Sequence, residues 1–157
     1  RASLTNPRRP WLRRSPRRDG DPVAEMHTLD KLPSLLPQCD WLVLACPYTK
    51  ETHQLVNART LALLPGHACL INVARGAVAD EQALIAALQS KQIAGAYLDV
   101  FEKEPLPAES PLWAMPNVIV SPHNASASAG NDRRAARVFT DNLQLYADGK
   151  VMHNEQR

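Results

Sequence analysis

The stretch ACLINVARGAVADEQALIAALQSKQIAGAYLDVF, residues 68–101, contains two short apolar runs with an amphipathic segment between them. The runs ACLINVA (68–74) and AGAYLDVF (94–101) are nearly continuous, which is typical of strands in a parallel sheet. Between them, Asp80 can cap a helix over EQALIAALQS that ends near Ser90. A strand, a helix and another strand in this order predict an α/β protein with a doubly wound parallel sheet.

The same alternation continues towards the N-terminus. WLVLAC (41–46) predicts a strand that is covered on both faces, and a short helix is expected before it, over residues 29–36. Between this strand and the next, Thr49 offers an N-cap for a short helix through Val56. Asn57 offers another N-cap, for a helix to about residue 64, where Pro-Gly stops it.

Towards the C-terminus, NVIVS (117–121) predicts a fourth strand. A long helix is expected from Ala125 towards Asp148, because apolar side chains recur on one face at helical spacing. These patterns divide the chain into an Arg/Pro-rich, partly irregular segment (residues 1–22), one sheet-containing domain (23–150) and a short tail (151–157).

Charge is distributed unevenly along the 157 residues, although the net charge is only +2. Residues 1–22 contain seven Arg and two Asp, whereas the remainder is net acidic. Nucleic-acid binding would therefore depend on the first 22 residues alone, and no nucleic-acid partner is predicted. No apolar run approaches the ~20 residues of a membrane helix, and no apolar region follows the basic N-terminus. Neither a membrane partner nor a secretory signal is predicted.

The three cysteines, Cys39, Cys46 and Cys69, are an odd number and lack a C-x-x-C spacing. Because they lie in or beside apolar segments, the sequence favours buried free thiols in a reducing compartment. A cytoplasmic location and no metal site are therefore predicted.

Ligands of parallel α/β sheets bind at the carboxyl ends of the strands. This rule draws attention to the residues that follow each predicted strand: Pro47, the pair Ala74-Arg75, Asp99 and His123. The rule predicts where a site lies, and it does not name the chemistry.

Three polar residues near these strand ends have complementary chemistry. Arg75 can hold a carboxylate through two parallel hydrogen bonds. His123 can give or take a proton near neutral pH, and a carboxylate such as Glu104 beside it favours the imidazolium and orients it. Together the three would suit the reduction of a carbonyl next to a carboxylate, if the fold brings them together.

The residues also resemble a known family. NVARG (72–76), GAYLDVFEKEPL (95–106) and SPH (121–123) follow the order and spacing of the D-isomer-specific 2-hydroxyacid dehydrogenases, which include glyoxylate and hydroxypyruvate reductases. CDWLVLACPYTKETHQLVN (39–57) is similar to the preceding strand and loop of that family. The resemblance covers roughly residues 27–150 and implies a Rossmann-like coenzyme domain.

The resemblance implies a role for each of the three polar residues. Arg75 would hold the carboxylate and carbonyl region of a small 2-keto or 2-hydroxy acid. His123 would be the general acid in reduction and the base in oxidation, and Glu104 would pair with it and favour its protonated form. The coenzyme, NADP or NAD, would supply the hydride.

The coenzyme contacts implied by the resemblance lie at four further positions. Asp99 matches the residue that contacts the nicotinamide carboxamide, and Ala74 matches a backbone contact near the nicotinamide ribose. Pro47 and Thr52 match positions that line the adenosine side. A homodimer is expected, as is usual in the family.

A weaker similarity extends upstream to WLRRSP (11–16), which resembles the end of the second strand of the coenzyme domain. Arg14 and Ser15 would then face the adenosine 2′-phosphate, which cationic and hydroxyl donors suit well. This similarity favours NADP over NAD.

One feature of the family is absent from the sequence. No two of the six glycines have the spacing of a G-x-G-x-x-G turn, which receives the coenzyme pyrophosphate at a helix N-terminus. The sheet is therefore expected to be incomplete, without the first strand and its Gly-rich turn. An alternative to the NAD(P)-dependent oxidoreductase is thus a non-catalytic remnant, or a module that senses coenzyme and dimerises.

Overall fold

The computed structural model describes residues 11–12 and 26–154. The chain divides into two units, residues 1–123 and 124–157. Within the described residues, the first unit carries all the strands and the second carries one long helix. The single domain over residues 23–150 stays a prediction.

Four parallel strands form the main sheet of the first unit, and they are paired in the order in which they occur in the chain. Their bounds are β3 Trp41–Leu44, β4 Cys69–Asn72, β5 Gly95–Leu98 and β6 Val118–Val120. The pairs Leu44↔Asn72, Asn72↔Leu98 and Leu98↔Val120 bring the carboxyl ends of all four strands to one edge. The predicted α/β Rossmann-like sheet is confirmed, although each strand is shorter than its apolar run.

A second, two-stranded parallel sheet precedes the main sheet in the chain. It pairs β1 (Trp11–Leu12) with β2 (Met26–His27). The similarity of WLRRSP to the end of a coenzyme-domain strand is consistent with β1. Arg14 and Ser15 lie outside the described residues.

The helices begin where the sequence provides caps. The Asn57 side chain accepts from the backbone amides of Arg59 and Thr60, and α2 (Ala58–Leu61) follows it. The Asp80 side chain accepts from the amide of Ala83 and starts α3 (Glu81–Gln89). Residues 29–38 form a helical segment of two 3₁₀ turns around α1 (Leu32–Leu35). The predicted caps at Asn57 and Asp80 are confirmed, but α2 ends about three residues earlier than expected.

The predicted helix over residues 49–56 is wrong, because tertiary contacts use its backbone groups. The Gln54 amide donates to the carbonyl of Ala77, and Gln54 has a left-handed φ of 47°. Val56 then forms a parallel bridge with Ala79. A helix would need those amides within its own segment, so residues 50–54 form turns instead.

The long C-terminal helix, α4 (Asn131–Ala147), starts six residues later than predicted. Gly130, with a φ of 85°, precedes its first turn, and a residue in the left-handed region cannot belong to a right-handed helix. Gly149, with a φ of 67°, follows its C-terminal end as expected.

The core lies against one face of the main sheet. Leu42, Leu44, Leu70 and Leu98 are buried on that face with side chains from α1, α2 and α3. On the opposite face of β3, Trp41 is 62% and Val43 54% exposed, so the prediction that this strand is covered on both faces is wrong for the described residues.

Leu70 on β4 has no exposed surface, and β4 is paired on both sides. We expect Leu70→Ala to lower the free energy of unfolding by about 2–5 kcal/mol, because it removes buried apolar volume and leaves a cavity. Urea denaturation measures this change. The matched control is Leu63→Ala, at a position 37% exposed, with an expected loss of less than about 1 kcal/mol. Equal losses in the two variants would contradict the placement of the core.

Candidate active site

The predicted site residues of the first unit gather at the carboxyl edge of the main sheet. Arg75 follows β4, Asp99 follows β5 and His123 follows β6. Glu104 lies in the loop after β5 and reaches His123 directly. Three of the chemistry-bearing side chains therefore come from successive neighbouring strands, as the parallel topology requires.

A direct contact joins the side chains of His123 and Glu104. The Nδ1 atom of His123 lies 2.7 Å from Oε2 of Glu104. The other carboxylate oxygen, Oε1, accepts a hydrogen bond of 2.9 Å from the backbone amide of Phe101. An acceptor carboxylate at Nδ1 requires a proton on that nitrogen, which fixes the tautomer and leaves Nε2 to act on another partner.

The pKa of the Glu104 carboxyl group is affected by both His123 and Arg75. Partial burial raises the pKa of this carboxyl group, but four other contributions outweigh it. These are the hydrogen bond with His123, the bond from the Phe101 amide, and the charges of His123 and Arg75. The net pKa of Glu104 lies below its ordinary value of 4.5. The site is therefore assembled around an ionised carboxylate at neutral pH.

Arg75 is presented by a turn that a buried asparagine holds. Asn72, at the end of β4, is 1% exposed; its Oδ1 accepts from the Ala74 amide at 3.1 Å, and its Nδ2 donates to the Arg75 carbonyl at 3.2 Å. The Arg75 guanidinium donates to the Ala74 carbonyl at 2.6 Å. Asn72 was not predicted as a site residue, although an Asn inside an apolar strand requires a hydrogen-bond partner.

The loop that carries Glu104 is packed directly on the turn after Arg75. A Cβ atom added to Gly76 would lie 1.9 Å from the carbonyl carbon of Phe101, so only glycine allows this approach. Glu81 and Glu102 also bind each other reciprocally. The Glu102 carboxylate accepts from the Glu81 amide at 3.2 Å, and the Glu81 carboxylate accepts from the Glu102 amide at 3.0 Å. Glu102 thus ties the loop to the first turn of α3.

A cleft of about 430 Å³ opens beside Arg75, between the ends of β3 and β4. Pro47 and Ala74, two predicted coenzyme contacts, line it together with Arg75 and further residues: Ala45, Cys46, Tyr48 and Val73. Its volume lies within the range of small-molecule sites, about 300–1,000 Å³. The lining combines small side chains with the ring of Tyr48 and the guanidinium of Arg75.

Thr52 and Asp99 are both buried, and both are engaged within the protein. The Thr52 hydroxyl donates to the carbonyl of Pro47 at 2.9 Å and accepts from the amide of Thr49 at 2.7 Å. Asp99 is 1% exposed, and its Oδ1 lies 2.5 Å from the hydroxyl of Ser121. The contacts of these residues with a coenzyme stay predictions, as does the role of each other site residue.

The described residues contain no group of three His, Cys, Asp or Glu side chains that could hold a metal. Cys39, Cys46 and Cys69 are free thiols of intermediate exposure, whereas buried thiols were predicted. Partial burial raises the pKa of the Cys39 and Cys46 thiols. Over the same residues, no helix combines the length and apolar character needed to cross a membrane.

Comparison with known proteins gives the family. The model of the D-isomer specific 2-hydroxyacid dehydrogenase NAD binding domain matches residues 11–125, most of the chain. The chain belongs to this family. The resemblance inferred from NVARG, GAYLDVFEKEPL and SPH is thereby confirmed, and the match reaches upstream to β1.

Curated relatives agree with this family. A protein named glyoxylate/hydroxypyruvate reductase B from Escherichia fergusonii is 46% identical over 123 residues, which are 78% of this chain and 38% of the relative. The protein of that name from Citrobacter koseri is 47% identical over the same shares. The chain thus spans 38% of the length of these relatives.

Solved structures of the family have the same fold as this chain. A D-isomer specific 2-hydroxyacid dehydrogenase from Xanthobacter autotrophicus Py2, in complex with NADPH and MES, superposes with a TM-score of 0.83 at 44% identity. The superposition covers 93% of this chain and 59% of that one. An NADPH-dependent glyoxylate/hydroxypyruvate reductase from Sinorhizobium meliloti, in complex with NADP and sulfate, gives 0.79 at 31% identity, over 90% and 45% of the two chains.

We expect Gly76→Ala to disrupt the site, because the new methyl group would overlap the Phe101 backbone and push the Glu104 loop away. The expected loss in unfolding free energy, from overpacking against backbone, is about 1–3 kcal/mol. Urea denaturation measures it. Gly66→Ala is the control, because its added Cβ would meet nothing closer than 3.9 Å. An unchanged midpoint for Gly76→Ala would refute the close packing of the loop on this turn.

Proposed function

We propose that this protein reduces a small 2-keto acid of the glyoxylate or hydroxypyruvate type, with NADPH as the preferred coenzyme. The observation that carries the proposal is the 2.7 Å contact between His123 Nδ1 and Glu104 Oε2, beside the guanidinium of Arg75. The names of the 46%-identical relatives support the substrate class. Because the chain spans only part of their length, activity, substrate and partners are all proposals.

In this proposal Arg75 binds the carboxylate of the keto acid and orients its carbonyl. A guanidinium can form two parallel hydrogen bonds to a carboxylate, and its charge is permanent at neutral pH. Asn72 supports this role, because its side chain binds the Ala74 amide and the Arg75 carbonyl. These bonds fix the backbone from which the Arg75 side chain extends. Substrate position is thereby set by β4.

His123 acts as the general acid in this reduction. Reduced nicotinamide coenzyme, when bound, supplies the hydride to the carbonyl carbon. His123 donates the proton from Nε2 to the carbonyl oxygen, which completes the hydroxyl group of the product. Glu104 holds Nδ1 and stabilises the imidazolium that must exist before the proton is given up.

The cleft beside Pro47, Ala74 and Arg75 supports coenzyme binding at the carboxyl edge of the sheet. Thr52 would position the Pro47 side of this cleft through its bond to the Pro47 carbonyl. Asp99 would contact the carboxamide group of the nicotinamide. NADPH is favoured over NADH because two solved relatives contain NADPH or NADP, and because Arg14 and Ser15 would suit a 2′-phosphate. A homodimer and a cytoplasmic location belong to the same proposal.

We expect His123→Gln to lower kcat for glyoxylate and hydroxypyruvate reduction by about 10²–10⁴-fold, because glutamine cannot transfer the proton. Oxidation of NADPH at 340 nm measures the rate. His67→Gln is the control; His67 is exposed and pairs with Asp40. Wild-type turnover in His123→Gln would remove His123 from the mechanism. Absence of both turnover and saturable NADPH binding in the wild-type protein would instead favour the remnant alternative.

A further inference from the structure

We propose that Ser121 is a positioning residue of this site. Its hydroxyl group joins the side chains of Tyr97 and Asp99, and so anchors the two-residue turn that carries His123. The proposal rests on the proposed reductase function for its kinetic consequence. Its structural claim concerns the orientation of His123 and can be tested without turnover.

The Ser121 hydroxyl group, at the end of β6, contacts two side chains at the end of β5. Its Oγ atom lies 2.8 Å from the hydroxyl oxygen of Tyr97 and 2.5 Å from Oδ1 of Asp99. Tyr97 and Asp99 are two residues apart at the end of β5, and their side chains therefore leave the same face of the sheet. Ser121 follows β6 directly, on the neighbouring strand.

A serine hydroxyl has one hydrogen to donate and can also accept, so it can belong to both hydrogen bonds at once. No alanine, valine or other apolar side chain could replace it in this role. Asp99 is 1% exposed, so water cannot easily substitute for the hydroxyl group. The three side chains together fix the position of Ser121 relative to the end of β5.

The backbone of Ser121 carries this restraint to His123. The Ser121 amide donates to the Leu98 carbonyl at 3.0 Å, which extends the pairing of β5 with β6 by one bond. The Ser121 carbonyl accepts from the His123 amide at 3.1 Å, across Pro122. His123 itself has a left-handed φ of 51°, which is uncommon for a residue other than glycine.

The His123 imidazole therefore extends from a turn whose backbone has little conformational freedom. Pro122 fixes one backbone angle, and the hydrogen bond across it fixes the next residue. The remaining freedom lies at the base of the turn, which is where the Ser121 hydroxyl is bound. A small movement of Ser121 would carry Nδ1 away from Glu104, because a 2.7 Å contact tolerates little displacement.

The Ser121 hydroxyl group is not among the groups that hold the Arg75 turn. The Asn72 side chain on β4 holds that turn, and the Asp99 amide donates to the Asn72 carbonyl at 3.0 Å through the backbone. Loss of the Ser121 hydroxyl should therefore affect proton transfer much more than binding of the keto acid. A role that is only structural would not separate kcat from KM in this way.

The test compares Ser121→Ala with Ser121→Thr, which keeps a hydroxyl group. We expect Ser121→Ala to lower kcat by about 10²-fold with the KM for glyoxylate unchanged, because a displaced His123 transfers its proton more slowly. Ser121→Thr should restore most of kcat. Ser90→Ala is the control, because the Ser90 hydroxyl bonds only to carbonyls of α3 in the described structure.

An activity-free measurement accompanies the kinetics. The ¹⁵N chemical shifts of His123, assigned with His123→Gln, report which ring nitrogen carries the proton. In the wild type we expect the Nδ1–H tautomer, because Glu104 accepts from that nitrogen. In Ser121→Ala we expect a mixture of tautomers, and in Ser121→Thr the wild-type form.

The outcomes separate the two proposals. A folded Ser121→Ala with wild-type kcat and the Nδ1–H tautomer would overturn the role of Ser121, as would a loss that Ser121→Thr does not restore. If Ser121→Ala does not fold, Tyr97→Phe removes one of the two bonds and should shift the tautomer in the same direction; no shift would overturn the proposal. A wild-type protein without reductase activity would refute the proposed function, and the tautomer comparison would still decide about Ser121.

Discussion

The hydrogen bond between Glu104 and His123 is the interaction on which the candidate site depends. It joins a loop residue to a residue at the end of β6, and the Phe101 amide holds the second carboxylate oxygen of Glu104. A carboxylate at Nδ1 determines which nitrogen faces the substrate side. The nearby positive charge of Arg75 also helps to keep that carboxylate ionised. In the proposed mechanism, Glu104 therefore lies close to both the proton donor His123 and the guanidinium of Arg75.

The surrounding structure serves mainly to hold this pair in place. Parallel pairing brings the ends of β4, β5 and β6 to one edge. The Phe101 backbone packs directly on Gly76, which fixes the distance between the Glu104 loop and the turn after Arg75. The reciprocal bonds of Glu81 and Glu102 fasten the same loop to α3. Each of these restraints involves backbone groups, so the loop is ordered before a ligand binds and loses little freedom on binding.

The sequence predicted the elements of the fold well where the pattern was local. Apolar runs located β3 to β6, and Asn57 and Asp80 marked their helices, because strand burial and capping depend on neighbouring residues. The turns at residues 50–54 were mistaken for a helix, since the Gln54–Ala77 bond that replaces it joins residues far apart in sequence. The late start of α4 depends on the left-handed Gly130, which residue type alone did not reveal.

For the site, residue types and strand ends indicated Arg75, Glu104 and His123, and the family pattern supplied their roles. The supporting residues Asn72, Glu102 and Ser121 were missed, because their importance lies in contacts with backbone or with other strands. Such contacts leave no periodic signal in a single sequence. A polar residue within or beside an apolar strand was the one local sign available for Asn72 and Ser121.

The most direct measurement of the central contact is the pKa of the Glu104 carboxyl group, from a ¹³C NMR titration of the wild type and of His123→Gln. We predict a pKa below 4.5 in the wild type, so that the paired carboxylate stabilises the folded protein above this pH and loses its contribution as the pH falls through the lowered value. In His123→Gln the pKa should rise, because the hydrogen bond and charge of His123 are gone while partial burial remains. A wild-type pKa at or above 4.5, or one that His123→Gln leaves unchanged, would contradict the contact between Glu104 and His123.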